Sequence, residues 1–155
     1  MTGELCSLCR RILLLTGLFF AAWTDLKEGR IPNRILALLL LAGIVLCTAQ
    51  SGLDGEYEAV RSAAAGFFTG GGIALLCAVL SGGGLGAGDV KLLAVTGLYL
   101  GAGAVADVFV FAMLSAGAVC LALLAAGRGG RKRGIPLAPF ILLAVVLTYG
   151  KQGLF

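Results

Sequence analysis

The sequence predicts an all-α, polytopic integral membrane protein with about six transmembrane helices, and three observations carry that expectation. The 155 residues are 59% hydrophobic and only 13% charged, with a mean hydropathy of +1.02, too apolar for a water-soluble domain of this size. The apolar stretches are continuous instead of alternating, and unpaired backbone is not tolerated against lipid, so helices are favoured over a barrel. At about 20 residues per crossing of a roughly 30 Å hydrocarbon core, the chain could hold at most about six or seven spans. The expectation is one membrane-embedded domain over 1–155, with no separate soluble or zinc-binding domain.

Ile12 to Trp23, behind Arg10 and Arg11, forms span one. It imitates the basic start and apolar stretch of a secretory signal, but the chain stays hydrophobic to its end and no small-residue cleavage site precedes Asp25. Ile35 to Ala49 forms span two, Ala63 to Leu80 span three and Val90 to about Gly101 span four. Val108 to Ala126 follows as span five and Leu137 to Tyr149 as span six. Several runs fall short of about 20 residues, so flanking Lys and Arg must snorkel to the interface. The 25 glycines, clustered at 70–72 and 82–84, suit close helix approach or hinges.

Six crossings put both termini on one side. Segments 25–34, 81–91 and 127–136 carry eight of the twelve Lys and Arg, and the remaining segments carry five of the eight acids. The positive-inside rule then places those three loops in the cytoplasm and both termini outside, with Asp54, Glu56, Glu58 and Asp107 as solvated acids of the outer side. The +4 formal charge is explained by orientation, so no nucleic-acid partner is expected. The tract Arg128, Arg131, Lys132, Arg133 suits anionic lipid headgroups, which makes membrane lipid an expected partner.

Of the five cysteines, Cys47, Cys77 and Cys120 lie in apolar runs as small packing side chains, and Cys6 with Cys9 is a lone CxxC. With no second pair and no histidine, it makes half a zinc site at best, so neither metal nor cofactor is expected. The glycine stretch before Asp89 has neither the spacing nor the context of a phosphate-binding loop.

Two ionisable groups sit beside the membrane in dense polar signatures. Asp25 ends span one and opens Asp25-Leu26-Lys27-Glu28-Gly29-Arg30-Ile31-Pro32-Asn33, where Gly29 frees the turn and Pro32 forces a tight loop into span two. Asp89 starts span four within Gly86-Ala87-Gly88-Asp89-Val90-Lys91, where the glycines would let an extended backbone approach a carboxylate and Asp89 would serve as the N-cap. The topology puts both acids on the same edge, where they can meet. Asp25 lies at the negative end of its helix and Asp89 at the positive end, so Asp89 is expected to be ionised at rest and Asp25 protonated, with Lys27 and Lys91 favouring the charged forms.

These residues resemble a known family. Asp25 with Arg30-Ile31-Pro32-Asn33, then Gly86-Ala87-Gly88-Asp89-Val90-Lys91-Leu92-Leu93-Ala94 with Gly97-Leu98-Tyr99-Leu100-Gly101, then Ile135-Pro136-Leu137-Ala138-Pro139-Phe140, look like the type IV prepilin peptidase family of GxGD membrane proteases. The resemblance implies an aspartic endopeptidase that cuts the leader of type IV or Flp-type prepilins at the cytoplasmic face of the inner or plasma membrane. Asp25 and Asp89 would be its catalytic pair, with Gly86, Gly88, Lys91, Arg30, Pro32 and Asn33 shaping the site. It implies a prepilin or pseudopilin substrate with a basic leader. Longer members carry a cysteine-rich domain and N-methylate the new amino terminus; a compact, peptidase-only member is the closer match here. The alternative is a small transporter or channel using the two aspartates for proton or cation coupling. It would place acids near the bilayer midplane and show inverted-repeat character.

Overall fold

The computed structural model describes residues 2–54, 57–126 and 136–151. They form six α-helices and, among the described residues, no strand: α1 Thr2–Glu28, α2 Asn33–Asp54, α3 Glu58–Leu80, α4 Ala87–Leu100, α5 Ala102–Ala125 and α6 Ala138–Lys151. Each covers one of the expected apolar runs to within one residue, and α1, α2 and α3 extend past theirs into polar sequence. Glu56 and the tract Arg128, Arg131, Lys132, Arg133 lie outside the described residues.

Four helices, α1, α2, α3 and α5, are long and apolar enough to cross a membrane. The chain is an all-α polytopic membrane protein. Outward-facing Leu38, Leu41, Phe68, Leu114 and Leu121 are exposed in the bundle, as expected where lipid is the solvent. The other two helices differ from the simple expectation of six equal spans. Both α4 and α6 are 14 residues long, about 21 Å by helical rise, short of a full crossing of about 30 Å.

The reason lies in packing. Every residue from Leu92 to Tyr99 is buried, so α4 is enclosed by its neighbours and makes little contact with lipid. Glycines permit the enclosure. A side chain on Gly66 of α3 would run into the Gly97 carbonyl of α4, and one on Gly70 into the Leu93 carbonyl. The two backbones therefore touch directly, which only glycine at these positions allows. Tyr99 then reaches α2, its hydroxyl donating to the Leu39 carbonyl at 2.7 Å.

The pairings fix two ends of the bundle. At one end lie the 29–32 turn, the 81–86 loop and the start of α6, where Ala138 meets Asp25. At the other, Arg10 of α1 meets the last residues of α4, and Arg11 stacks over the Tyr149 ring of α6 at 5.7 Å. The helices thus alternate in direction, and both signature motifs fall at the first end.

Candidate active site

Asp25 takes its position from the inward stripe of α1. Leu14, Leu18, Ala21 and Ala22 face the core, and helical spacing carries Asp25 onto the same face, buried at 7% exposure. Gly29, with φ 62°, closes the helix by donating its N–H to the Asp25 carbonyl at 2.9 Å. The Pro32 carbonyl then accepts the first bond of α2 from the Ile35 N–H at 3.1 Å, so the chain reverses within 29–32 as expected.

The Asp25 side chain has a partner that sequence reasoning missed. Its Oδ2 accepts a hydrogen bond from the backbone N–H of Ala138 at 3.1 Å, the first residue of α6. Orphan amides at a helix start carry the positive end of the dipole, so α6 presents to Asp25 a surface complementary to a negative carboxylate. The signal available was Pro136-Leu137-Ala138-Pro139, a start motif that places free amides at the mouth of span six.

Asp89 is the third residue of α4 and half-buried, ahead of the enclosed run from Leu92 and one residue before the apolar run expected as span four. Its expected N-cap role is not what the structure has: Gly86, in extended geometry, occupies the cap, and the Asp89 N–H donates to the Gly86 carbonyl at 3.0 Å. An acid at this position can reach back to the cap amide instead, the reciprocal half of a capping box. Burial, and then the nearby charge of Asp25, push the Asp89 carboxyl up to about 6, while the Gly86 amide opposes the rise. The dipole of α4, which alone would favour the charged form of Asp89, is thus opposed by its surroundings. Burial and a like charge hold the Asp89 carboxyl above the ordinary carboxylate range, so it keeps its proton to higher pH than a free aspartate.

The other site residues divide. Lys91 Nζ donates to Asn33 Oδ1 at 3.2 Å, tying the start of α2 to α4. Gly88 abuts Ile31, and a β-carbon on it would stand 3.4 Å from that side chain, so the two motifs pack against each other. A β-carbon on Gly86 would stand 3.1 Å from Asp89 Oδ2. Arg30 is exposed and, among the described residues, joins no hydrogen bond or ion pair. Lys27 lies over the Trp23 ring at 4.5 Å on the outward face of α1. The expected support of Lys27 and Lys91 for the carboxylates is thus not seen: each engages another group. Among the described residues no three His, Cys, Asp or Glu converge as metal ligands, and Cys6 donates to the Leu46 carbonyl at 3.7 Å.

Chemically, the end of the bundle offers one half-buried carboxyl with raised proton affinity, Asp89, and a second, Asp25, whose Oδ2 is held by a backbone amide. That asymmetry is what general acid and general base catalysis by two like groups requires.

Comparison with known proteins gives the same direction. The type IV leader peptidase family model matches residues 12–123. A curated protein named prepilin leader peptidase/N-methyltransferase, from Bacillus subtilis (strain 168), is 34% identical over 138 residues, covering 89% of this chain and 54% of its own length. The chain thus spans about half the length of that relative. No solved structure matches.

Proposed function

The chain belongs to the type IV leader peptidase family, and from that premise we propose that it is an aspartic endopeptidase that cleaves the leader of type IV or Flp-type prepilins. Asp25 and Asp89 are its catalytic pair. The observation that carries the reading is the electrostatic coupling of the two acids at one end of the bundle, with Asp25 raising the proton affinity of Asp89.

In the scheme, the Asp25 carboxylate takes a proton from a water while the hydroxyl adds to the scissile carbonyl carbon. Asp89 gives its proton to the carbonyl oxygen. Collapse of the tetrahedral diol breaks the C–N bond as one diol hydroxyl returns its proton to the Asp89 carboxylate, and the proton gained by Asp25 passes to the leaving amine, restoring both acids. The Ala138 amide holds the base, and Gly86 and Gly88 leave room for the substrate backbone. Lys91, Asn33 and Pro32 hold the turn against α4, and Arg30 stands at the exposed rim. Water is the only co-reactant, and the aspartate pair offers nothing to methyl transfer, so the proposal is for peptidase chemistry alone.

The charge bias of the loops supports a cytoplasmic active site in the inner or plasma membrane, with both termini outside. A prepilin or pseudopilin would present its basic leader junction from that side, its apolar helix alongside the bundle in lipid. A transporter would require the acids midway along the helices; Asp25 stands one turn from the end of α1 and Asp89 in the first turn of α4, which favours interfacial hydrolysis.

The test is cleavage of a reconstituted, membrane-inserted prepilin, with the products identified by mass spectrometry. The wild-type chain is expected to release the leader, and Asp25→Ala and Asp89→Ala to release none while keeping wild-type helix content by circular dichroism. Cleavage by either variant overturns the assignment.

A further inference from the structure

The two aspartates stand on different helices, and nothing covalent holds α1 against α4 at the distance hydrolysis needs. At the site end, α4 is located laterally through α2, by Lys91 on Asn33 and by Gly88 against Ile31. Along its length α4 packs on the backbone of α3 at Gly66 and Gly70, and its far end reaches α2 through Tyr99. Its register against α1 itself needs a contact that runs from α1 to α4.

Arg10 makes that contact. The guanidinium reaches from α1 across the opposite end of the bundle, and its Nη2 donates to the carbonyls of Tyr99 at 3.0 Å and Leu98 at 3.5 Å. Its Nη1 donates to Gln50 Oε1 of α2 at 2.9 Å. The last carbonyls of a helix lack internal partners and carry the negative end of the dipole, so a cation there is favourable twice over. A planar fork serves two directions at once, which an ammonium does not do with the same geometry. Arg10 Nε is buried without a hydrogen-bond partner among the described residues, so the side chain forgoes one bond to keep this arrangement. Beside it lies a cavity of about 390 Å³, lined in part by Arg10, Gln50, Ser62, Tyr99 and Gly101, while the packing of this end of α4 is on α2 and α3, at Gly43 and Gly66.

We propose that Arg10 is a positioning residue: by clamping the final carbonyls of α4 to α1, it sets the register of the two helices and hence the separation of Asp89 from Asp25. Arg10 and Asp25 belong to the same helix, about 22 Å apart along its axis, so one rigid element carries both an acid of the pair and the anchor that fixes the other. The proposal rests on the peptidase reading for its consequence on rate, but not for its geometry.

The test therefore has one arm that does not depend on catalysis. In the full chain with its five cysteines replaced by alanine, Asp25→Cys and Asp89→Cys are introduced together and oxidised with copper phenanthroline in liposomes. Cross-link yield is read after proteolysis between α1 and α4. Adding Arg10→Gln should lower the initial cross-linking rate about ten-fold, and Arg10→Lys should restore part of it. Tyr99→Phe, which removes a hydrogen bond from α4 to α2 and none to α1, should leave the rate within about two-fold. In the catalytic arm, Arg10→Gln in the otherwise wild-type chain should lower kcat on prepilin by about ten- to a hundred-fold with KM changed less than about three-fold, the pattern of a misplaced catalytic group. An unchanged cross-linking rate in Arg10→Gln overturns the proposal, as does an equal fall in Tyr99→Phe. If Asp25→Ala still cleaves prepilin, the peptidase reading fails, and the cross-linking arm decides the positioning role alone.

Discussion

The backbone N–H of Ala138 donates to the Oδ2 of Asp25 at 3.1 Å, across 113 positions of sequence, so the start of the last helix is built onto the end of the first. Hydrogen bonds to a charged acceptor are worth about 1.5–3 kcal/mol, roughly one to two powers of ten in rate if the charge is needed for catalysis. Proline is tolerated in the first turn of a helix and lacks the donor. Ala138→Pro is expected to lower kcat by about ten- to a hundred-fold, whereas Ala138→Gly, which keeps the N–H, should stay within about five-fold of wild type. Steady-state cleavage of prepilin by the two variants, with circular dichroism to verify helix content, checks this.

Asp89 gives a stability prediction with a definite sign. Its folded-state carboxyl is pushed up to about 6, above the usual unfolded value of about 3.9, by burial first and the Asp25 charge second. The folded protein then binds the proton more tightly than the unfolded chain. The associated stability is fully present below about pH 4 and is lost as pH rises through about 6. Because Asp89 is only half-buried, solvent screening reduces the effect to on the order of 1 kcal/mol. Asp89→Asn should melt higher than wild type at pH 7.5, with the difference vanishing near pH 4. A wild-type advantage at pH 7.5 in detergent-solubilised melts would contradict the environment described for Asp89.

The two motif glycines should respond differently to alanine. At Gly86 the new methyl would stand 3.1 Å from Asp89 Oδ2 and must displace the carboxylate by a few tenths of an ångström. At Gly88 it meets Ile31 at 3.4 Å, an ordinary contact. Gly86→Ala is expected to lose about ten-fold or more in kcat and Gly88→Ala less than about three-fold. Equal losses in a side-by-side cleavage assay would show that the first glycine is not kept clear for the acid.

The α3–α4 contact should tolerate no added atom. A methyl on Gly66 runs into the Gly97 carbonyl, so Gly66→Ala forces two backbones apart and should destabilise the protein by about 1–3 kcal/mol. Gly72, with no atom near its would-be β-carbon, should accept alanine with little change. Thermal melting of the two variants discriminates them.

Much of this was legible in the sequence because it is local. Continuous apolar runs marked six helices, and the breaks at Gly29 and Pro32 marked the return into α2. The two aspartates stood out because acids at the ends of apolar runs are costly without a reason. What escaped depended on neighbours. Nothing in the composition of α4 says that it is enclosed; that follows from glycines on α3 more than 20 positions away. The dipole argument considered only each acid's own helix and so missed the α6 amide that faces Asp25 and the burial that raises the proton affinity of Asp89. The cap of α4 fell on Gly86 because Asp89 lies a turn deeper than its motif suggests.

The central claim is that Asp25 and Asp89 act as one proton-sharing unit. Measuring kcat for prepilin cleavage by Asp25→Asn, Asp89→Asn and the double variant tests it most directly. Residues that work as a unit are non-additive, so each single variant should lose about a thousand-fold or more and the double variant little beyond that. Either single variant keeping near-normal activity, or losses that multiply in the double variant, would contradict it.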